Sequence, residues 1–359
     1  MRQRLSAPAA FFVGGRVGHD GEVRYLSFFD AGFEDVMKNE DGPFGPQLIW
    51  VLVGVGAALF FGFKFLQPAP APGERVAMLR IEGGSDTRHE RVSAQDCKSR
   101  VDRIWVETDE FVECIAYVVG GQDIDSRVAV VFFNGDVPQA DLAAESTEAV
   151  RGRALSRAES VAGATGLKVV VMGRPGLMGS TGFHRAGGMR DDAYVMSIAL
   201  DRLRERLQVQ QLALAGQSGG ARLIAQMLVL GRGDVMCSAM ASGAYDIPQV
   251  KGGGTVRTNI FGEPGRRYLV PMTEIAKIPV TRERRQFVIG DPNDKITGFP
   301  EQRAWAERLL ALGHPVLLIE ARGGGKDNHG LSDAAVAVAA ACAKGATDGD
   351  ITTLAQRAR

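Results

Sequence analysis

The serine at the centre of Gly216-Gln217-Ser218-Gly219-Gly220 is the residue of this chain best placed for covalent chemistry. The apolar run Leu212–Leu214 before it reads as the end of a buried strand. After it, Leu223, Ile224, Met227, Leu228 and Leu230 keep helical spacing up to Gly231, a natural stop. A serine on a strand–turn–helix junction, with glycine two before and two after, has the pattern of a nucleophile elbow. The flanking glycines are a steric requirement. The backbone at the serine is strained, and a Cβ at 216 or 220 collides with the neighbouring strand or helix. Such a turn holds Oγ clear of the sheet, at the positive end of the helix that follows.

A hydroxyl is a weak nucleophile until a base takes its proton. The chain offers five histidines. His19 lies in a polar leader and His89 just beyond a proline-rich linker. His314, in the turn Gly313-His314-Pro315, enters a strand at the wrong end of the sheet and is expected to be exposed. His184 follows the strand Leu167–Met172 at the correct edge. His329 follows the last strand, in Gly323-Gly324-Gly325-Lys326-Asp327-Asn328-His329-Gly330, and is read as sitting on a flexible loop. His329 is the preferred base, because a loop after the final strand can fold over the elbow and because histidine comes last in the triad order of this motif. His184 is the second choice.

An imidazole base needs a carboxylate to fix its tautomer. The stretch Asp291-Pro292-Asn293-Asp294-Lys295-Ile296 follows the strand ending at Gly290. Asp294 has the longer reach and is preferred; Asp291 can instead bond to its own turn, and Asp246 is a third candidate. A tetrahedral intermediate needs two N–H donors. One is the Gly219 amide. The other is expected from Asn134-Gly135-Asp136-Val137-Pro138, with the Asp136 amide first and Gly135 second, the acidic side chain turning away into solvent. In the long loop from Arg174 to His184 these two residues are candidate substrate contacts, against the equally weighted reading of a plain connection.

These residues need a scaffold, and the alternation of the chain supplies one. Strands are expected at 103–108 and 111–119 as a hairpin, then at 128–133, 167–172, 212–214, 235–241, 286–290 and 315–320. Helices are expected at 139–162, 191–207, 299–312 and 331–343, besides the one after Ser218. Strands separated by helices imply a mostly parallel sheet covered on both faces, with ligands at the carboxyl ends of its strands. Residues 243–285 interrupt the alternation and read as a small cap, with Arg284 and Arg285 on a solvated face.

From about Arg103 to Ala343 the chain resembles the α/β-hydrolase superfamily. The text around the elbow, and the run from Asp294 through QRAWAERLLALGHPVLLIE to His329, is similar to the catalytic domain of prolyl-oligopeptidase-type serine peptidases and to dienelactone-hydrolase-like esterases. The resemblance implies an α/β-hydrolase fold, with Ser218, Asp294 and His329 as nucleophile, acid and base in the family's order. Asn134 stands where many members carry histidine, and no β-propeller precedes the domain. Esterase, peptidase, thioesterase and acyltransferase chemistry all stay open, and the rival reading is a non-catalytic ligand-binding or scaffold protein on the same fold.

Ahead of this domain, residues 1–41 read as a leader without fixed structure, with Met37 as an alternative start. No charge occurs from Gly42 to Phe63. A helix over 48–66 would span roughly 28 Å at about 1.5 Å per residue, close to the ~30 Å of a bilayer core. Trp50 and Lys64 suit its two interfaces. Residues 42–67 are therefore read as a transmembrane anchor, 68–100 as linker and lead-in, 101–345 as the hydrolase domain and 346–359 as a polar tail. The flanking basic residues favour a cytoplasmic domain. The short tail and a possible Cys97–Cys114 bridge favour the extracytoplasmic side, which is the side expected. Cys237 and Cys342 read as buried small residues.

The 42 basic and 42 acidic residues balance, so no global field attracts nucleic acid. No metal-ligand spacing or nucleotide fingerprint occurs, and the GGGK at Gly323 lacks the spaced glycine and the Ser/Thr of a phosphate loop. The expected partner is a small-molecule or peptide acyl substrate, with no cofactor and no metal.

Overall fold

The computed structural model describes residues 15–17, 23–25, 75–83, 86–137, 145–183, 190–246 and 269–358. It divides into two units, Met1–Gly73 and Glu74–Arg359. In the first, where no fixed structure is expected for the leader, β1 (Gly15–Val17) and β2 (Val23–Tyr25) pair antiparallel. The expected anchor at 48–66 and the alternative start at Met37 lie outside the described residues. Among the described residues no helix is long and apolar enough to cross a membrane.

The second unit begins with a hairpin inside the expected lead-in, β3 (Ala77–Gly83) against β4 (Asp86–Val92). A capped turn of helix follows, α1 (Ala94–Lys98), whose Ser93 and Asp96 bond each other's backbone in a capping box. The main sheet follows: β5 (Arg103–Glu107), β6 (Val112–Gly120), β7 (Val128–Phe133), β8 (Lys168–Met172), β9 (Gln211–Gln217), β10 (Val235–Ala241), β11 (Arg285–Gly290) and β12 (Val316–Glu320). Its order is β12-β11-β10-β9-β7-β8-β6-β5. β6 runs antiparallel to both β5 and β8, and every other neighbouring pair is parallel. The order reverses around β7, which lies between β8 and β9 although β8 follows it in the chain. In such sheets that is where a cleft opens at the carboxyl edge.

Helices cover both faces: α2 (Thr147–Thr165), α3 (Arg190–Leu207), α4 (Gly219–Val229), the short α5 (Pro271–Glu274) with a 3₁₀ turn at Ile275–Lys277, α6 (Phe299–Ala311), α7 (Ser332–Ala343) and α8 (Asp348–Arg357). The central strands are mostly apolar because both of their faces are buried. Val131, Phe133, Leu212 and Leu214 join one core with α3, α4 and α6, whereas Val130, Phe132, Ala213 and Ala215 join the other with α2, α7 and α8. Alternate residues of one strand thus feed opposite layers.

Three expectations need correction, and the expected cap lies largely outside the described residues. Cys237 and Cys342 are buried, but they are bonded to each other, tying β10 to α7 with Cα atoms 6.2 Å apart; a second disulfide joins Cys97 of α1 to Cys114 of β6. The polar tail is the helix α8, which buries Ile351 and Ala355. In the expected cap, residues 247–268 lie outside the described set, but Leu269, Met272, Ile275 and Ile278 are buried in the core that α4 faces, and Gln226 of α4 donates to the Leu269 carbonyl. Arg284 and His314 are each only 2 % exposed. Gly313, at φ 87°, folds the chain back after α6 so that the His314 amide bonds the Leu309 carbonyl, and the imidazole is buried rather than exposed to solvent. Burial and the nearby Arg284 charge lower its pKa.

α7 is built almost wholly of alanine and valine, Ser-Asp-Ala-Ala-Val-Ala-Val-Ala-Ala-Ala-Cys-Ala. Side chains this small let the helix lie close along β9 and β10, against which it packs.

Candidate active site

Ser218 sits between β9 and α4 at φ 56°, ψ −119°, a conformation that non-glycine residues rarely adopt. Two glycines relieve the crowding it creates. A Cβ on Gly216 would lie 2.6 Å from the Gly220 backbone, and a Cβ on Gly220 would lie 2.1 Å from the Phe133 carbonyl oxygen of β7. The strain has an identifiable effect. A serine at the N-cap of a helix ordinarily accepts a bond from the first turn, but Ser218 makes no such side-chain bond. Its amide donates to the Ala241 carbonyl at 2.8 Å instead, fixing the turn against β10 and leaving the hydroxyl out of the helix's own bonding.

His329 is carried by a hairpin tighter than the flexible loop expected. Gly324 and Gly330 bond each other's backbone in both directions, at 2.8 and 3.1 Å. Gly323 is needed where Asn328 crosses it, since a Cβ there would lie 2.0 Å from the Asn328 carbonyl oxygen. The glycines of the GGGK stretch are therefore structural. The hairpin is tied to the elbow through its backbone: the carbonyl of His329 accepts from Gln217 Nε2 at 3.0 Å and from Ser242 Oγ at 2.9 Å. Gln217 directly precedes the serine, and Ser242, at φ 47°, directly follows β10.

The structure brings His329 and Asp294 together. Nδ1 of His329 lies 2.9 Å from Oδ2 and 3.1 Å from Oδ1 of Asp294. The carboxylate is fully buried at its side chain, while the imidazole is 19 % exposed. Oδ1 accepts the amides of Ile296 at 2.8 Å and Thr297 at 3.1 Å, and Oδ2 lies 2.9 Å from the Thr297 hydroxyl. Burial alone would raise the Asp294 pKa. The hydrogen bond from His329, the two loop amides and the histidine's charge outweigh it and hold the carboxyl below its ordinary value. Asp291 is employed elsewhere, accepting the amides of Asn293 and Gly323 at 2.7 Å each, which leaves Asp294 as the carboxylate facing the histidine. Asp246 ends the described segment after β10.

The loop after β7 departs from expectation. The Asp136 carboxylate does not turn into solvent. It lies between two buried guanidinium groups, 2.8 Å from Arg174 and 2.6 Å from Arg222. Burial opposes its ionisation, but the two arginine charges prevail and bring its pKa down to about 2. It also accounts for a third glycine that the elbow pattern does not require: a Cβ on Gly219 would lie 2.1 Å from the Asp136 carboxylate. Gly135 also passes close to the elbow, and a Cβ on it would lie 3.1 Å from that of Ser218. Arg174 is 7 % exposed and lines the cavity beside this loop; its guanidinium also donates to the Gly135 carbonyl at 2.7 Å. His184 lies outside the described residues.

The loop holding Arg174 is ordered by β6. Beyond the end of β8, the Ala116 amide donates to Ser180 Oγ and the Cys114 amide to Thr181 Oγ1, so the loop continues the ladder that the strand has left. A cavity of about 1040 Å³ opens between this loop, the start of α2 and the Asn134–Val137 loop, and reaches Gln217.

Three participants, Gln217, Ser242 and Thr297, have no expected role in the sequence reading. Gln217 is the one with a local signal, as a long polar side chain ending an otherwise apolar strand beside the serine.

The strand order, the strained serine between β9 and α4, and the acid and histidine after β11 and β12 define an α/β-hydrolase fold with its functional edge at the carboxyl ends of the strands. No protein-family model and no curated protein sequence matches the chain. Among solved structures it is similar to Est1E from Butyrivibrio proteoclasticus, with 11 % identity over 68 % of this chain and 96 % of that one and a TM-score of 0.43. It is also similar to esterase 2 of Thermogutta terrifontis, with 16 % identity over 61 % and 83 % of the two chains and a TM-score of 0.42. A third is the acylaminoacyl peptidase of Pyrococcus horikoshii, with 12 % identity over 60 % of this chain and 36 % of that one and a TM-score of 0.43.

Proposed function

We propose that this chain is a serine hydrolase that cleaves an ester or amide through an acyl-enzyme on Ser218. The observation that carries this reading is the buried Asp294–His329 pair, whose histidine backbone is bonded to the residue preceding a serine with an uncommitted side chain. Asp294 accepts the Nδ1 proton of His329, which leaves Nε2 as the basic nitrogen. Nε2 takes the Ser218 proton as Oγ attacks the carbonyl carbon. The oxyanion meets the Gly219 amide and an amide of the loop after β7. His329 then protonates the leaving alcohol or amine. Water, deprotonated by the same nitrogen, attacks the acyl carbon and releases the acid and free Ser218.

A fluorophosphonate probe tests the reading, with intact-mass analysis of wild-type and Ser218→Ala protein and turnover of short-chain p-nitrophenyl esters. One adduct on wild-type protein, none on the variant, and turnover abolished in a folded variant are expected. Full esterase activity in Ser218→Ala would refute the mechanism.

We further propose that residues 48–66 anchor the protein in a membrane and that the hydrolase unit lies on the extracytoplasmic side. The apolar span and the Pro68-Ala69-Pro70-Ala71-Pro72 linker support the first part. Two disulfides support the second, since such bonds persist in oxidising compartments. Recovery of the full-length chain in the soluble fraction would defeat the anchor. Protection of the hydrolase unit from protease added outside intact cells stripped of any outer membrane would defeat the orientation.

A further inference from the structure

The Gly135–Asp136 peptide lies in the loop after β7, between the β8 side and the β9 side of the sheet. Arg174 Nη2 holds the Gly135 carbonyl at 2.7 Å. A trans peptide is planar, and its C=O and N–H point in opposite directions. A carbonyl held by that guanidinium therefore turns the Asp136 N–H away from it, in a loop that passes close to Ser218: a Cβ on Gly135 would lie 3.1 Å from that of Ser218. The same Arg174 nitrogen reaches Oδ1 of Asp136 at 2.8 Å, and Oδ2 is gripped at 2.6 Å by Arg222. Arg222 belongs to the first turn after the nucleophile, and its amide donates to the Ser218 carbonyl at 3.1 Å. Its side chain is 3 % exposed and that of Arg174 is 8 % exposed, so these charges are held in low-dielectric surroundings where pairing is strong.

We propose that Arg174 and Arg222, acting through Asp136, are positioning residues that keep the Gly135–Asp136 peptide with its N–H toward Ser218 and so preform the second oxyanion donor. This rests on the serine-hydrolase reading above. Neither role requires contact with the substrate. One fixes the peptide through the Gly135 carbonyl, and the other ties the following carboxylate to the helix of the nucleophile. Without the Arg174 grip the glycine leaves the peptide free to rotate, and a carbonyl turned toward the oxyanion repels it. The arrangement also explains the glycine at 219, since the locked carboxylate occupies the space of a side chain there.

The test uses Arg174→Met and Arg174→Lys, with kcat and KM on short-chain p-nitrophenyl esters, fluorophosphonate labelling rates by intact mass, and thermal unfolding to score the folded fraction. Losing one oxyanion donor lowers kcat by about 10²- to 10³-fold. Arg174→Met is expected to lose that much kcat, with KM changed by less than about threefold, because the donor acts in the transition state rather than in substrate binding. Labelling is expected to slow in parallel, since the phosphonyl oxygen uses the same donors. Arg174→Lys, which keeps the charge but lacks the planar fork, is expected to fall between wild type and Arg174→Met. Should Arg174→Met not fold, Arg174→Lys alone decides. Either variant folded, with wild-type kcat and wild-type labelling rate, would overturn the proposal while leaving the hydrolase reading standing. Wild-type protein that neither labels at Ser218 nor turns over any ester would overturn both.

Discussion

Replacing Asp294 by asparagine changes few atoms and should remove most of the activity. Oδ1 of Asp294 receives two backbone amides, from Ile296 at 2.8 Å and Thr297 at 3.1 Å. An asparagine must put its oxygen there, because its NH₂ group would otherwise face two donors. Its nitrogen then takes the place of Oδ2, 2.9 Å from His329 Nδ1. The Thr297 hydroxyl, also 3.0 Å from the Ser242 carbonyl, can donate there and accept from the new NH₂. The exchange therefore fits the loop, but the new group donates to Nδ1 where the carboxylate accepted. Nδ1 must become the acceptor, and the ring proton moves to Nε2, the nitrogen that should deprotonate Ser218. The wrong tautomer in such a triad costs about 10⁴-fold in kcat, or about 5.5 kcal/mol of barrier at about 1.4 kcal/mol per decade. Steady-state hydrolysis of p-nitrophenyl acetate by Asp294→Asn, with unfolding curves to establish that the variant is folded, measures this. A folded variant within tenfold of wild-type kcat/KM would refute the assignment of Asp294 as the carboxylate that orients the base.

Three further outcomes are expected. Replacing Cys237 and Cys342 by alanine opens a link across a sequence separation of 105 residues; loop entropy for that span is worth up to about 4.7 kcal/mol, to be read as a shift of the denaturant midpoint. Asp136 has its pKa lowered from 3.8 to about 2, so the stability it contributes is complete above about pH 4 and is lost as pH falls toward 2. At about 1.4 kcal/mol per pKa unit this is ~2 kcal/mol, and the acid limb of the stability–pH curve should flatten in Asp136→Asn. Gly219→Ala would put a methyl 2.1 Å from the Asp136 carboxylate. Overpacking of this kind costs about 1–3 kcal/mol, and activity measured on the folded fraction should fall as the donor at 219 is displaced.

What was legible in the sequence has a common character. Each strand of the main sheet follows from a run of apolar residues, and the elbow from a pattern within five positions, because these are local and the backbone must satisfy them wherever the chain goes. Asp294 over Asp291 could be argued from reach along one loop. What escaped was set by partners distant in sequence. Asp136 looked solvent-bound because Arg174 and Arg222 lie 38 and 86 positions away. Ser242 has no reason to be singled out until the hairpin of His329 is seen to end on it, and Gln217 shows only its polarity at the end of its strand. Cys237 and Cys342 look like ordinary small core residues from their flanks, and only the packing of α7 on β10 brings their sulfurs within bonding distance. His314 and Arg284 went wrong for the opposite reason: charge and polarity at a turn argue for solvent, but the fold buries both side chains.

The alanine-rich helix that continues the chain beyond His329 bears on how this site would change over time. A helix with so little side-chain volume has no slack with which to absorb a bulkier neighbour. It is riveted to the sheet one residue before its end, and its start is three residues past the imidazole. Any enlargement at Ala335 or Ala339, both fully buried, would lift the helix and shift the base with it. For the serine hydrolase proposed above, new substrate preferences would therefore arise on the opposite flank, around the cavity beside the β7 and β8 loops, while the flank carrying His329 stays rigid.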